Sequence, residues 1–307
     1  MPLRLNALAA LAAMLAIGQA LAMDEASAAR YEVTTRPALV YAVHDGSKLL
    51  GDLYSPKARA NAPVLVAMHG GGWRGGSRSF YKHWGPFLAR NGYALFAIEY
   101  RLRKPGMYPA AIYDVKAAIQ FVRAKAAAFD VDPTRIGLIG DSAGGYLAAM
   151  LALTADWFAS AYSDDANAAT PATVKAVVGF YGIYDMLAQW KQDMRVTRGD
   201  SITQDFLGVA PTQNGQLYVE SSPITYAKAD HRGVRFLLFH GSRDNLVDPQ
   251  SQSGAFAAAL AKAGFSARLS IIPGAAHFWV SEPFENAPGS YGMLAAAQLL
   301  QFLEGAL

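Results

Sequence analysis

Arg135-Ile-Gly-Leu-Ile-Gly140-Asp-Ser142-Ala-Gly-Gly145-Tyr-Leu-Ala-Ala-Met150 is the stretch on which the reading of this chain turns. Residues 136–139 form the short apolar run of a buried strand, and from Tyr146 onward the composition is that of a helix. Only Gly140 to Gly144 join the two. A strand that becomes a helix so abruptly must turn sharply, and glycines beside Ser142 leave room for strained backbone and close neighbours. The turn lifts the Ser142 hydroxyl above the sheet and sets it at a helix amino terminus, whose N–H groups favour negative charge. Ser142 is therefore a candidate nucleophile, and the N–H of Ala143 a candidate donor to an oxyanion.

Working outward, apolar strand patterns recur at residues 39–44, 49–54, 64–68, 94–100, 135–139, 174–180, 235–240 and 267–272. The first two flank Asp45-Gly46 and read as a hairpin. Helical patterns fall at 80–90, 112–129, 142–153, 250–263 and 291–303. Alternating strands and helices predict an α/β fold with a mostly parallel central sheet of about eight strands, covered on both faces. Ligand sites of such sheets form beyond the carboxyl ends of the strands. Residues 183–232 break the rhythm, and a connection of that length predicts a small cap-like insertion. The catalytic domain is expected over 38–307, preceded by an unpatterned arm at 23–37.

The 307 residues are 52% hydrophobic, enough for one substantial core. Arg4, an apolar run from Leu8 to Ile17 and Ala20-Leu21-Ala22 read as a cleaved signal peptide over 1–22, which predicts a periplasmic or secreted protein without stable membrane insertion. There is no cysteine, so thiol chemistry and thiolate metal sites are excluded. No close histidine cluster predicts a metal, and no cofactor is implied. The formal charge of +3 is weak and scattered, and the richest local run, Arg101-Leu-Arg103-Lys104, is too short for a nucleic-acid stripe.

A serine nucleophile needs a base, an orienting acid and aimed N–H donors. His69-Gly70-Gly71-Gly72-Trp73 follows the strand at 64–68, and its glycines can present backbone donors, assigned to Gly71 and Gly72. His69 precedes the serine and is expected to brace this loop. His277 lies in a loop after the strand at 267–272 and is expected to be the base; His240, its competitor, comes before either candidate acid. Asp244 follows the strand at 235–240 and is preferred as the acid over Asp248, which lies where a helix cap is expected. Trp73, Tyr181, Trp190, Phe278 and Trp279 are candidate pocket residues, although each would also suit a core.

The HGGGW loop, Glu99-Tyr-Arg-Leu102, Asp132-Pro-Thr-Arg-Ile136-Gly, the GDSAGG turn and HGSRDNLVD together resemble the carboxylesterase, lipase and arylformamidase group of α/β-hydrolases. Within it the chain is most similar to bacterial feruloyl/acetyl-xylan esterase-like proteins. The resemblance implies the α/β-hydrolase fold, a Ser142–His277–Asp244 triad, oxyanion donors at Gly71, Gly72 and Ala143, and a small-molecule ester substrate of acetyl or feruloyl type, aromatic or carbohydrate-linked. Arylformamidase, amide or peptide hydrolysis and a non-catalytic binding role stay open as alternatives. Gly72 leans toward an esterase, because formamidase-like relatives often carry a bulkier residue there.

Overall fold

The computed structural model describes residues 31–154, 162, 165–197, 199–228 and 233–307, so the signal-peptide expectation lies outside the described residues. Eight strands, β1 (Val33–His44), β2 (Ser47–Pro56), β3 (Ala62–Met68), β4 (Ala94–Ile98), β5 (Val131–Asp141), β6 (Ala176–Phe180), β7 (Arg235–Gly241) and β8 (Ala267–Ile272), form one sheet in the order β1-β2-β4-β3-β5-β6-β7-β8. β2 runs antiparallel to both neighbours, and from β4 to β8 every pairing is parallel. This is the α/β-hydrolase arrangement, with a mostly parallel sheet between helices. β3, β4 and β6 are buried along their whole length, which is why they read as unbroken apolar runs.

The expected arm at 23–37 is corrected in part, because β1 begins at Val33. Val33 to Arg36 pair with Pro56 to Leu53 at the sheet edge. Most of these side chains are exposed, so backbone hydrogen bonds hold the segment without an alternating apolar pattern.

Helices α1 (Trp84–Arg90), α2 (Ala110–Ala124), α3 (Ala143–Thr154), α4 (Met186–Val196), α5 (Ile202–Leu207), α6 (Gly215–Glu220), α7 (Ala255–Lys262) and α8 (Tyr291–Ala306) complete the layers. Every residue of α3 is buried, as suits a helix apolar all round. Alternate residues of the strands feed two cores: Val64, Val66 and Met68 on one face, Leu65 and Ala67 on the other. The residues expected as a cap hold α4, α5 and α6, begun by the caps Asp185, Ser201 and Asn214, whose side chains accept N–H bonds from Ala188, Gln204 and Leu217. The register pairs Met68 with Gly140, Asp141 with Phe180, Phe180 with Phe239 and Gly241 with Ile272. The following loops therefore leave from one rim.

Candidate active site

Ser142 stands between β5 and α3 with φ of 52°, a left-handed conformation that costs a non-glycine residue energy. The turn is held because Ser142 N–H donates to Phe180 O at 2.9 Å and Ser142 O accepts from Tyr146 N–H at 3.1 Å. The helix can approach the neighbouring strand only because Gly144 lacks a side chain: a Cβ there would lie 2.0 Å from Met68 O.

Three loops converge on this serine. His277 Nε2 lies 3.0 Å from Ser142 Oγ, and His277 Nδ1 lies 2.6 Å from Asp244 Oδ2. Since the carboxylate can only accept, Nδ1 carries a proton and Nε2 is free to accept from the serine hydroxyl. Asp244 Oδ1 accepts from Leu246 N–H and Val247 N–H, each at 3.0 Å. Burial alone would raise the Asp244 carboxyl, but hydrogen bonds from His240, His277 and Val247 N–H hold it well below the usual carboxylate range. Asp248 accepts instead from the backbone and hydroxyl of Ser251, each at 2.8 Å. An alcohol, an imidazole that can take its proton and a carboxylate that can steady the imidazolium thus stand in one hydrogen-bonded row.

Gly71 and Gly72 both have positive φ, 116° and 60°, in the loop after β3. The structure braces this loop from below. Asp141 Oδ1 accepts Gly70 N–H at 3.0 Å, His69 Nδ1–H donates to Gly70 O at 2.7 Å, and Tyr100 hydroxyl donates to His69 O at 2.7 Å. Burial pushes Asp141 up to about 7, against the lowering effect of Gly70 N–H and Tyr81 hydroxyl. Burial likewise lowers His69 to about 4, so its ring is neutral at pH 7. From above, Ile202 of α5 meets Gly72, where a Cβ would lie 3.0 Å from Ile202 Cγ2, and Arg74 pairs with Asp200 and Asp205 at 2.6 Å.

The aromatic candidates separate. Trp73 is buried and stacks on Phe206 of α5, with ring centroids 4.3 Å apart. Tyr181 is fully buried with its ring 4.4 Å from that of His277, and its hydroxyl accepts from Val280 N–H at 3.1 Å, so it walls the imidazole. Trp190 donates to Gln204 at 3.2 Å, joining α4 to α5. Phe278 is 51% exposed beside His277. Trp279 is buried against Phe180 and Tyr181, in the core beneath α8. A cleft of about 390 Å³ opens at Gly72, Trp73, Arg103, Met107 and Phe206.

His240 is the residue whose place the sequence order conceals. Its Nε2 lies 3.0 Å from Val247 O and 3.3 Å from Asp244 Oδ2, and its Nδ1 lies 2.7 Å from Ser253 Oγ. A second serine and histidine thus adjoin the same aspartate, but Ser253 and His240 are both completely buried. The imidazole is also reversed, presenting Nδ1 rather than Nε2 to its serine. Its position at the end of β7, four residues before Asp244, is the signal that could have found it.

The sequence model of the BD-FAE family matches residues 51–260. The chain is 33% identical over 223 residues to esterase LipC of Mycobacterium tuberculosis, covering 70% of this chain and 53% of that protein. It spans about half the length of the curated relatives it matches. Among solved structures it is similar to a truncated carbohydrate esterase from gut microbiota, with 25% identity, a TM-score of 0.74, and 91% of this chain and 97% of that one covered. It is also similar to the propionate-bound esterase Est2 of Thermogutta terrifontis, with 25% identity, a TM-score of 0.68, and coverage of 89% and 94%.

Proposed function

From the premise that this chain belongs to the BD-FAE family, we propose that it is a serine hydrolase of small carboxylic esters, with Ser142 as nucleophile, His277 as base and Asp244 as orienting acid. The observation that carries this reading is the unbroken row from Ser142 Oγ through His277 to Asp244, with links of 3.0 and 2.6 Å. His277 Nε2 takes the serine proton as Oγ attacks the acyl carbon, and Asp244 stabilises the imidazolium. The N–H groups of Gly71, Gly72 and Ala143 receive the oxyanion. His277 then protonates the departing alcohol, and water repeats the sequence on the acyl-enzyme.

The substrate is an acetyl or feruloyl ester, carbohydrate-linked. Two similarities support this: a carbohydrate esterase among the structural neighbours, and a bound propionate in another, which favours short acyl groups. The cleft beside Gly72 joins the aromatic and apolar surfaces of Trp73, Phe206 and Met107 to the polar rim of Arg103, which suits a sugar or an aromatic acid. We further read the insertion carrying α4 to α6 as a small cap, supported by the packing of Ile202 on Gly72, and residues 1–22 as an export signal.

The test is kcat/KM for p-nitrophenyl acetate, butyrate, octanoate and methyl ferulate, with Ser142→Ala as control. Activity on acetate or ferulate above octanoate, abolished in Ser142→Ala, is the expected result. No activity above the control on any of the four overturns the esterase reading.

A further inference from the structure

Asp244 receives more hydrogen bonds than a simple orienting acid requires. Its Oδ1 takes two backbone N–H groups, and its Oδ2 meets two imidazoles, His277 Nδ1 at 2.6 Å and His240 Nε2 at 3.3 Å. His240 is completely buried, so its ring has no solvent to satisfy it. Val247 O, 3.0 Å from His240 Nε2, is a carbonyl and can only accept. A proton therefore sits on Nε2, directed to Val247 O with Asp244 Oδ2 3.3 Å away, while the Ser253 hydroxyl lies 2.7 Å from Nδ1. Val247 O, which can only accept, fixes the proton on the nitrogen that faces the acid, and Ser253 fills the opposite side of the ring and holds it in that orientation.

The backbone explains how Ser253 comes to be there. Gln250–Gly254 is a π-turn, closed by Gly254 N–H to Pro249 O at 2.9 Å, ahead of α7. Such a turn carries one residue more than an α-helical turn and recurs at functional sites. It points two consecutive polar residues inward. Ser253 meets His240, and Gln252 accepts from Tyr184 and Asp185 N–H at 2.7 and 2.9 Å, where α4 begins. Both side chains are buried. Among the described residues, Asp248 acts on His240 across the same loop, and Arg195 acts on Asp248.

We propose that His240, locked by Ser253, is a positioning residue for Asp244: it fixes the carboxylate and draws part of the Oδ2 charge away from His277. The proposal rests on the reading of Ser142, His277 and Asp244 as the catalytic triad. Its consequence has a sign. Without the His240 N–H, the whole Oδ2 charge acts on His277 Nδ1–H and favours the imidazolium, so the acid limb of the kcat/KM profile moves to higher pH, while the looser acid lowers kcat.

The experiment compares wild type, His240→Leu, His240→Gln and Ser253→Ala on p-nitrophenyl acetate across pH 5 to 9, with Ser142 labelling by paraoxon in parallel. In His240→Leu we expect kcat to fall about ten- to a hundredfold, the size of one hydrogen bond to a charged group, with KM nearly unchanged and the acid limb displaced upward. His240→Gln, whose amide nitrogen can occupy the place of Nε2, restores most of both. Ser253→Ala, which removes a single oxygen, lies between. If His240→Leu does not fold, Ser253→Ala decides: wild-type kcat and acid limb in that variant overturn the proposal. A lowered Tm with unchanged kcat and limb in folded His240→Leu also overturns it, as the mark of a structural role alone. Failure of paraoxon to label Ser142 in wild type overturns the triad reading and this proposal together, whereas labelling with unaltered variants overturns this proposal only.

Discussion

Asp141 Oδ1 accepts the backbone N–H of Gly70 at 3.0 Å, which ties the residue before the candidate nucleophile to the residue before the candidate oxyanion glycines. The two loops leave neighbouring strands, β5 and β3, and a fixed distance between them is what attack and oxyanion capture jointly need. Because Asp141 is buried on both sides of this link, its protonation and the stability of the fold are coupled.

That coupling gives the first prediction. Asp141 is raised from 3.8 to about 7, so the folded protein keeps a proton that the unfolded chain loses. The stabilisation is complete below the unfolded value and is lost as pH rises through about 7, a span worth on the order of a few kcal/mol. Asp141→Asn keeps an acceptor for Gly70 N–H but cannot ionise. Denaturant unfolding at pH 4 to 8 should show wild type losing stability relative to Asp141→Asn as pH rises. Parallel curves would contradict this account.

His69 carries the opposite sign. Burial lowers it to about 4, so the folded protein excludes a proton that the unfolded chain takes up below about 6.5. Its contribution is present above the unfolded value and lost as pH falls through the folded one. His69→Asn retains a donor near the Nδ1 position for Gly70 O. Wild type should therefore lose stability relative to His69→Asn between pH 6.5 and 4, measured by the same unfolding curves, and an equal acid loss in both would count against it.

How much of this was legible beforehand follows from the range of each interaction. The eight strands and the Ser142 turn announce themselves locally, through apolar runs and flanking glycines, and chain order separates His277 from His240. The start of β1 at Val33 does not, because an exposed edge segment has no alternation to display. Nor does the burial of Trp73 and Trp279, which depends on partners such as Phe206 and Phe180 far away in sequence. In the insertion α5 and α6 are six residues each, too short to display a helical period, although the caps Asp185, Ser201 and Asn214 that begin its three helices are signals within reach. Chain order sets His240 aside as a base, but order says nothing about which carboxylate a buried ring will touch.

The candidate oxyanion loop offers a contrast between neighbours. Gly71 has φ of 116°, and a Cβ there would lie 2.3 Å from Gly75 O, whereas a Cβ on Gly75 meets nothing within 4 Å. Gly71→Ala must shift the backbone of this loop, and on the proposed oxyanion role of Gly71 and Gly72 the loss of one donor should cost about a hundred- to a thousandfold in kcat. Gly75→Ala should stay within about threefold of wild type, since it creates no clash. Steady-state kinetics on p-nitrophenyl acetate checks both. Equal losses would mean that general loop rigidity, rather than donor placement, governs the rate.

The adjacent aromatics after His277 should divide stability from specificity. Phe278 is 51% exposed, holds a left-handed φ of 71°, and packs edge-to-face with His277, their ring centroids 4.5 Å apart. Trp279 is buried among Phe180, Tyr181 and Tyr291. Trp279→Leu removes a large part of that core and should cost about 3 kcal/mol, read as a lower unfolding midpoint with an unchanged preference among esters. Phe278→Ala leaves the core intact, so its midpoint should move by less than about 1 kcal/mol. If the exposed ring contacts an aromatic acyl group, Phe278→Ala lowers kcat/KM for methyl ferulate about tenfold more than for p-nitrophenyl acetate, the worth of one aromatic contact. An equal fall for both esters would assign Phe278 to holding His277, and no fall for either would remove it from the site.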